Sequence, residues 1–258
     1  MISISNSIRA RFINYKAAHY DLFREGRVLA SLKNIHKGER CFIIGNGPSL
    51  KAKDLDLLQA QMELSFAFNR IFYIFSQTSW RPTYYISQDY RMLQSCVAEV
   101  NKIPAKMRMI PSELKWYYNI DISLATYFHL KNRHDPETPV FSNRINKCIY
   151  NSNTVVITAI QIAIYMGFKD IYLLGVDHRF HTSINSRGEI LIDNKVDDYF
   201  TKEYNADKRS LYIPNLEKST QDFIAIKSFA EAHSTRVYNC TRGGNLEVFD
   251  RIDFDSLF

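Results

Sequence analysis

The chain has 258 residues, of which 46% are hydrophobic, 14% aromatic and 23% charged. That is enough apolar material for one sizeable core, and the balance excludes wholesale disorder. Lys and Arg number 33 against 27 Asp and Glu, a net charge of +6, which alone would suggest a nucleic-acid or membrane partner.

The surplus is local. Residues 1–40 carry eight basic and three acidic side chains, leaving 25 basic and 24 acidic groups over the other 218 residues. The body has no basic stripe interleaved with aromatics, so no nucleic-acid partner is expected. No apolar run reaches transmembrane length and the N-terminus lacks a signal-peptide pattern, which points to a cytoplasmic protein. Cys41, Cys96, Cys148 and Cys240 are scattered, with no C-x-x-C pair. They read as small hydrophobes in a reducing compartment, neither a disulfide framework nor a metal site.

In chain order, Ile8, Phe12, Tyr15 and Ala18 fall at helical spacing. The spacing predicts helix over the first 35 residues, broken at Gly26 and ended by Gly38, as a basic arm over 1–38 outside a main domain of 39–258. Cys41–Ile44 reads as a buried strand feeding the turn Gly45-Asn46-Gly47-Pro48-Ser49, with a helix from Ala52 to Gln61. Strands are predicted at Leu64–Phe68 and Thr83–Ser87, a helix from Asp89 to about Asn101, and a strand at Met107–Ile110. Residues 131–151 are polar, contain Pro136 and Pro139, and read as an exposed loop or lid. Asn153 and Thr154 cap a predicted helix to Met166, Gly167 stops it, and the strand Asp170–Leu174 runs into Gly175-Val176-Asp177-His178. Residues 179–215 are polar and aromatic-rich, lack periodicity and read as a mobile lid. A helix over Ser219–His233 and a strand over Arg236–Asn239 close the pattern. Alternating helices and short apolar strands indicate an α/β fold, a single Rossmann-like domain with a mostly parallel sheet and helices on both faces.

Ligands of such sheets bind at the carboxyl ends of the strands, which converts the strand reading into a list of sites. Gly45, Asn46, Gly47 and Ser49 follow the first strand; glycines allow close backbone approach and helix N-terminal amides favour an anion. The loop is neither a Walker A sequence nor a GxGxxG fingerprint, and a plain structural glycine turn is the alternative. Asn69 ends the second strand and Asp89 follows the third, where each would serve either a nucleotide or the next helix as its cap. Asp177 and His178 end the late strand, as a base, a metal ligand or a substrate anchor; D-H-x-x-H, completed by His181, has no secure metal meaning, and no metal is expected. Arg179, Lys208 and Arg209 are the nearby cations that could meet phosphate.

Phe42-Ile-Ile-Gly-Asn-Gly-Pro-Ser-Leu50, the strand ending in Asn69, and Ala163 through Asp177 resemble the bacterial CMP-sialic acid-dependent sialyltransferases. They also resemble a broader family related to archaeal 6-hydroxymethylpterin diphosphokinases, many of whose bacterial members look like lipopolysaccharide or capsule synthesis proteins. Tyr238 through Phe249 is similar to that broader family in particular. The sialyltransferase resemblance implies a single Rossmann-like nucleotide domain with a lid and metal-free catalysis. It places the cytidine nucleotide against Asn46, Gly47 and Ser49, joined by Asn69, with Thr154 where those enzymes carry a serine. Two positions depart from the pattern. Arg179 stands at about the place of the first lid tyrosine that holds the leaving phosphate, and Ser210–Asn215 contains no histidine where the catalytic one belongs. Asp177 or His178 then becomes the expected base.

The leading expectation is a nucleotide-sugar-dependent glycosyltransferase of surface polysaccharide synthesis. It would use a CMP-activated keto-sugar acid donor and a glycan or glycolipid acceptor, with no tightly bound cofactor and homo-oligomers allowed. One alternative is diphosphate transfer from ATP to a pterin-like alcohol, with magnesium held through Asp89 and Asp177. A non-catalytic nucleotide-binding subunit is the other. The basic arm would rest on the inner face of an anionic membrane or pack against protein.

Overall fold

A computed structural model describes residues 2–185, 187–193, 195, 197–205 and 213–258. It begins with α1 (Ile2–Ala18) and α2 (Arg24–Ala30), then alternates β1 (Arg40–Ile44), α3 (Ala52–Ala60), β2 (Ser65–Phe68) and β3 (Tyr84–Ile86). There follow α4 (Tyr90–Ser95), α5 (Val97–Lys102), β4 (Met107–Pro111), α6 (Ser112–Tyr118) and β5 (Thr126–Phe128). The short pair β6 (Leu130–Lys131) and β7 (Ile149–Tyr150) precedes α7 (Val155–Met166) and β8 (Asp170–Leu174). The hairpin β9 (Thr182–Ile184) and β10 (Ile190–Ile192) leads on to α8 (Leu216–Ala232), β11 (Arg236–Asn239) and β12 (Asp250–Arg251).

Eight strands form one sheet in the order β12-β11-β8-β1-β2-β3-β4-β5, and every neighbouring pair in it is parallel. Parallel strands need covered crossovers, and the burial follows from that. Ile43, Phe66, Phe68 and Tyr84 face one apolar layer with α7 and α8, while Phe42, Ile44, Ala67 and Tyr85 face another with α3 and α4. The protein is thus a single Rossmann-like α/β domain with helices on both faces. Strand order reverses between β1 and β8, since β2–β5 lie on one side of β1 while β8, β11 and β12 lie on the other. That reversal is the switch point where such sheets open a crevice.

α7 explains why the late half of the sheet is so regular. Thr154 caps it, its side chain accepting from the Val156 amide, and eleven of its twelve residues are buried. Gly167 then ends it in the left-handed conformation at φ 89°.

The expected 1–38 arm divides in two. Tyr20, Leu29 and Leu32 are buried in the main core. Residues 34–38 run along the end of α7, where the amides of Asn34, His36 and Gly38 donate to the carbonyls of Tyr165, Met166 and Gly167. His36 also stacks on Phe168 at 4.6 Å and hydrogen-bonds the Tyr84 hydroxyl at 2.6 Å. This stretch belongs to the domain because it satisfies the orphan carbonyls of a buried helix end. α1 touches the body through Arg9, which donates to Trp116 O at 2.8 Å, and Lys16, which pairs with Glu25 at 2.6 Å. Its Ile13 is buried, while Ile8, Phe12 and Tyr15 are exposed, the last two meeting the edge of Phe23.

Other differences are local. The helix expected over 89–101 is two short helices broken at Cys96, and the late helix starts at Leu216, capped by Asn215. Residues 131–151 are anchored by β7 and by the buried Ile145 and Ile149, so they are part of the body. No disulfide forms among the four cysteines, three of which are buried. Among the described residues no helix is long and apolar enough to cross a membrane.

Candidate nucleotide and transfer site

The crevice at the β1–β8 switch point is closed tightly at its base. Beyond the strands the pairing continues, with the Gly45 amide donating to Leu174 O at 2.8 Å and the Gly47 amide to Gly175 O at 2.9 Å. A side chain at Gly45 would strike the Gly175 carbonyl, and one at Gly47 would strike the Asp177 carboxylate. The two glycines therefore let the strand ends approach one another, which is the physical reason for the Gly-x-Gly spacing.

Asp177 is buried under this turn, and its Oδ2 accepts from Ser49 Oγ at 2.7 Å and from the Ser49 amide at 3.3 Å. Its Oδ1 accepts no hydrogen bond and faces Arg179 Nη2 at 3.9 Å. Burial raises the Asp177 pKa above the ordinary carboxylate value, opposed by the Ser49 bonds and the Arg179 charge. The Nε of Arg179 is buried without a hydrogen-bond partner, which leaves a guanidinium donor free beside the cavity.

His178 occupies the left-handed region at φ 52°, a conformation uncommon for a residue with a side chain and a recurrent marker of functional positions. Its Nε2 lies 2.7 Å from Thr220 Oγ1. That hydroxyl also lies 2.8 Å from Leu216 O, an acceptor that can take its proton while the imidazole donates to threonine. In that arrangement His178 is the Nε2–H tautomer and its Nδ1 carries the lone pair. Burial lowers its pKa to about 4, so the ring is neutral at physiological pH.

The cavity beside these groups is lined by Gly45, Asn46, Gly47, Asn69, Thr154 and Asp177 together with lid aromatics. Asn46 donates from Nδ2 to Phe68 O and to the Tyr204 hydroxyl, both at 3.3 Å, while its Oδ1 is buried with no partner. Asn69, at φ 50°, accepts from the Ser87 hydroxyl at 2.9 Å. The first turn of α7 opens on the same cavity, presenting the amides that favour an anion. That turn is held from behind: Asp222 Oδ2 accepts from the Asn153 amide at 2.9 Å, Asn153 Nδ2 at 2.8 Å and Arg133 Nη2 at 2.6 Å.

The structure brings Gly45, Asn46, Gly47, Asn69, Thr154, Asp177, His178 and Arg179 around one cavity. Ser49 touches it only through Asp177. Asp89 is not part of the lining; it caps α4, accepting from the Arg91 and Met92 amides. Among the described residues no group of three or more His, Cys, Asp or Glu side chains is placed to hold a metal ion.

The aromatic-rich composition of the lid was legible in the sequence, but not which of its rings wall the cavity. Tyr199 stacks on Tyr204 at 3.8 Å, Tyr204 is 3% exposed, and its carbonyl accepts from Arg70 Nη1 at 2.6 Å. The Phe200 amide donates to Asn46 O at 3.1 Å, so the lid is tied to the glycine turn itself. The signal was the close spacing of Tyr199, Phe200 and Tyr204 within a polar stretch. Lys208, Arg209 and Ser210–Tyr212 lie outside the described residues.

The model of the 6-hydroxymethylpterin diphosphokinase MptE-like family matches residues 17–183, more than half of the chain. The chain belongs to the MptE-like family. The match takes in the glycine turn, α7 and Asp177 and ends just after the Asp177-His178-Arg179 strand end. A solved MAf glycosyltransferase from Magnetospirillum magneticum AMB-1 shares the fold, with a TM-score of 0.52 and 17% sequence identity over 91% of this chain. The chain spans 38% of that protein's length. No curated protein matches the sequence.

Proposed function

We propose that this MptE-like protein transfers a sugar from a nucleotide-activated donor, and that the donor is a CMP-linked keto-sugar acid. The observation that carries the reading is the pairing of a neutral imidazole with a free Nδ1 and an unpartnered guanidinium donor beside one cavity. Glycosyl transfer needs both a proton acceptor and a group to neutralise the leaving phosphate.

In this reading the acceptor hydroxyl oxygen bonds to the anomeric carbon, the bond from that carbon to the phosphate oxygen breaks, and CMP leaves with the electron pair. The hydroxyl proton passes to His178 Nδ1. Arg179 and the first turn of α7 stabilise the departing phosphate. Asn46, with its vacant carbonyl oxygen, Gly47 and Asn69 hold the nucleoside, and Asp177, fixed by Ser49, sets the position of the turn. The MAf neighbour supports a sugar-transfer chemistry for this fold, and the placement of Asp89 away from the cavity weighs against diphosphate transfer.

Incubation with CMP-N-acetylneuraminate and detection of released CMP tests the proposal. Release that disappears in His178→Ala supports it. Release from no CMP-sugar, alongside magnesium-dependent ATP consumption with hydroxymethylpterin, would overturn it.

A further inference from the structure

A second, open groove meets the first at His178. It runs between α8 and the turn that follows β11, and His178 is common to the lining of both cavities. The turn is held against the transfer site, with the Asn245 amide donating to Asp177 O at 2.8 Å. Along α8 the groove reaches from Thr220 to Glu231, about 16 Å at helical rise, which is longer than one sugar ring.

The walls show what kind of ligand fits. Ser228, Glu231 and Asn245 offer hydroxyl, carboxylate and amide groups, and Ile224, 56% exposed, supplies an apolar patch. The charged members are not arranged for an anion. Lys227 spends its ammonium on Val248 O at 3.0 Å and on Asp250 at 3.7 Å, and Glu247 is paired with Arg251. Phosphate recognition calls for free cations or helix N-terminal amides, and this groove offers neither. Mixed hydroxyl, carboxylate and amide walls with one aliphatic surface suit an uncharged polyhydroxylated molecule.

We propose that this groove is the acceptor subsite and takes a neutral glycan, bringing its hydroxyl to His178, the residue the groove shares with the nucleotide cavity. The assignment rests on the glycosyltransferase reading above.

Saturation-transfer NMR on the full chain tests it, using methyl β-galactoside, methyl β-glucoside and methyl N-acetyl-β-glucosaminide, each with and without CMP. Wild type should saturate at least one glycoside. Ser228→Trp and Ile224→Arg should each weaken that signal by about tenfold, the loss of one or two hydrogen bonds or a blocked wall, while their melting temperatures match wild type. Undiminished transfer in both variants, or transfer to CMP but to no glycoside, would overturn the groove assignment. Glycoside transfer that depends on Ser228 and Ile224 without any CMP signal would keep the groove and remove the nucleotide reading instead.

Discussion

Ser49 and Asp177 lock the two halves of the sheet together at the point where ligands enter. The Ser49 hydroxyl lies 2.7 Å from the Asp177 carboxylate, although 128 residues separate them in sequence. Gly47 makes that closeness sterically feasible, because any side chain there would occupy the place of the Asp177 carboxylate.

Gly47→Ala should therefore be costly out of proportion to its size. Overpacking of this kind costs roughly 1–3 kcal/mol, and relief requires Asp177 to move away from Ser49. The expected result is a lower unfolding midpoint together with at least about a tenfold loss of nucleotide affinity. Denaturant unfolding and a calorimetric titration check the two parts separately.

His178 predicts a pH signature with a definite sign. Its folded pKa, about 4, lies below the ordinary histidine value of 6.5, so between those values the unfolded chain binds more protons than the folded one. Stability should fall as pH drops from 6.5 towards 4 and become independent of this group below that. His178→Asn removes the titration while keeping a residue type that tolerates positive φ. The variant should flatten the unfolding free energy across that window, and turnover should fall by about 10²–10⁴-fold.

Tyr204 should matter through both packing and one hydrogen bond. Tyr204→Phe keeps the stack on Tyr199 but removes the hydroxyl that accepts from Asn46, a change of about 0.5–1.5 kcal/mol. Tyr204→Ala also opens the lid, which should raise the fraction of donor lost to water over transfer. Product analysis that separates free sugar from glycoside reads this directly.

The Arg133–Asp222 pair supports the α7 turn from the buried side, with both side chains less than a tenth exposed. Removing the cation leaves a buried carboxylate unpaired, so Arg133→Ala should destabilise the protein by about 3–5 kcal/mol, more than Asp222→Asn does. Urea unfolding of the two variants checks the order.

Much of this was legible because local chemistry and global fold agree. Gly45 and Gly47 after an apolar run, Thr154 before α7 and Gly167 after it are each explained by the backbone they serve, and the strand ends located the cavity without coordinates. What was hidden depended on long-range partners. Spacing alone gave Asp89 two roles, and its bonds to the Arg91 and Met92 amides decide for the cap. The stretch 20–38 read as part of a basic arm outside the main domain because its hydrogen bonds to the end of α7 cross more than a hundred residues. In α1 the period of Ile8, Phe12 and Tyr15 left open which face meets the body, since periodicity alone does not say so. β5 and β12, three and two residues long, form by pairing along the sheet edges and leave little trace in sequence.

The central claim is that the crevice between β1 and β8 is a cytidine-nucleotide site. Calorimetric titration of the full chain with CMP, CDP, UDP and ATP, with and without magnesium, addresses it most directly. The account predicts one CMP per chain, bound without a magnesium requirement and weakened by Gly47→Ala. Binding of ATP alone, dependent on magnesium and indifferent to Gly47, or binding of none of the four, would contradict it.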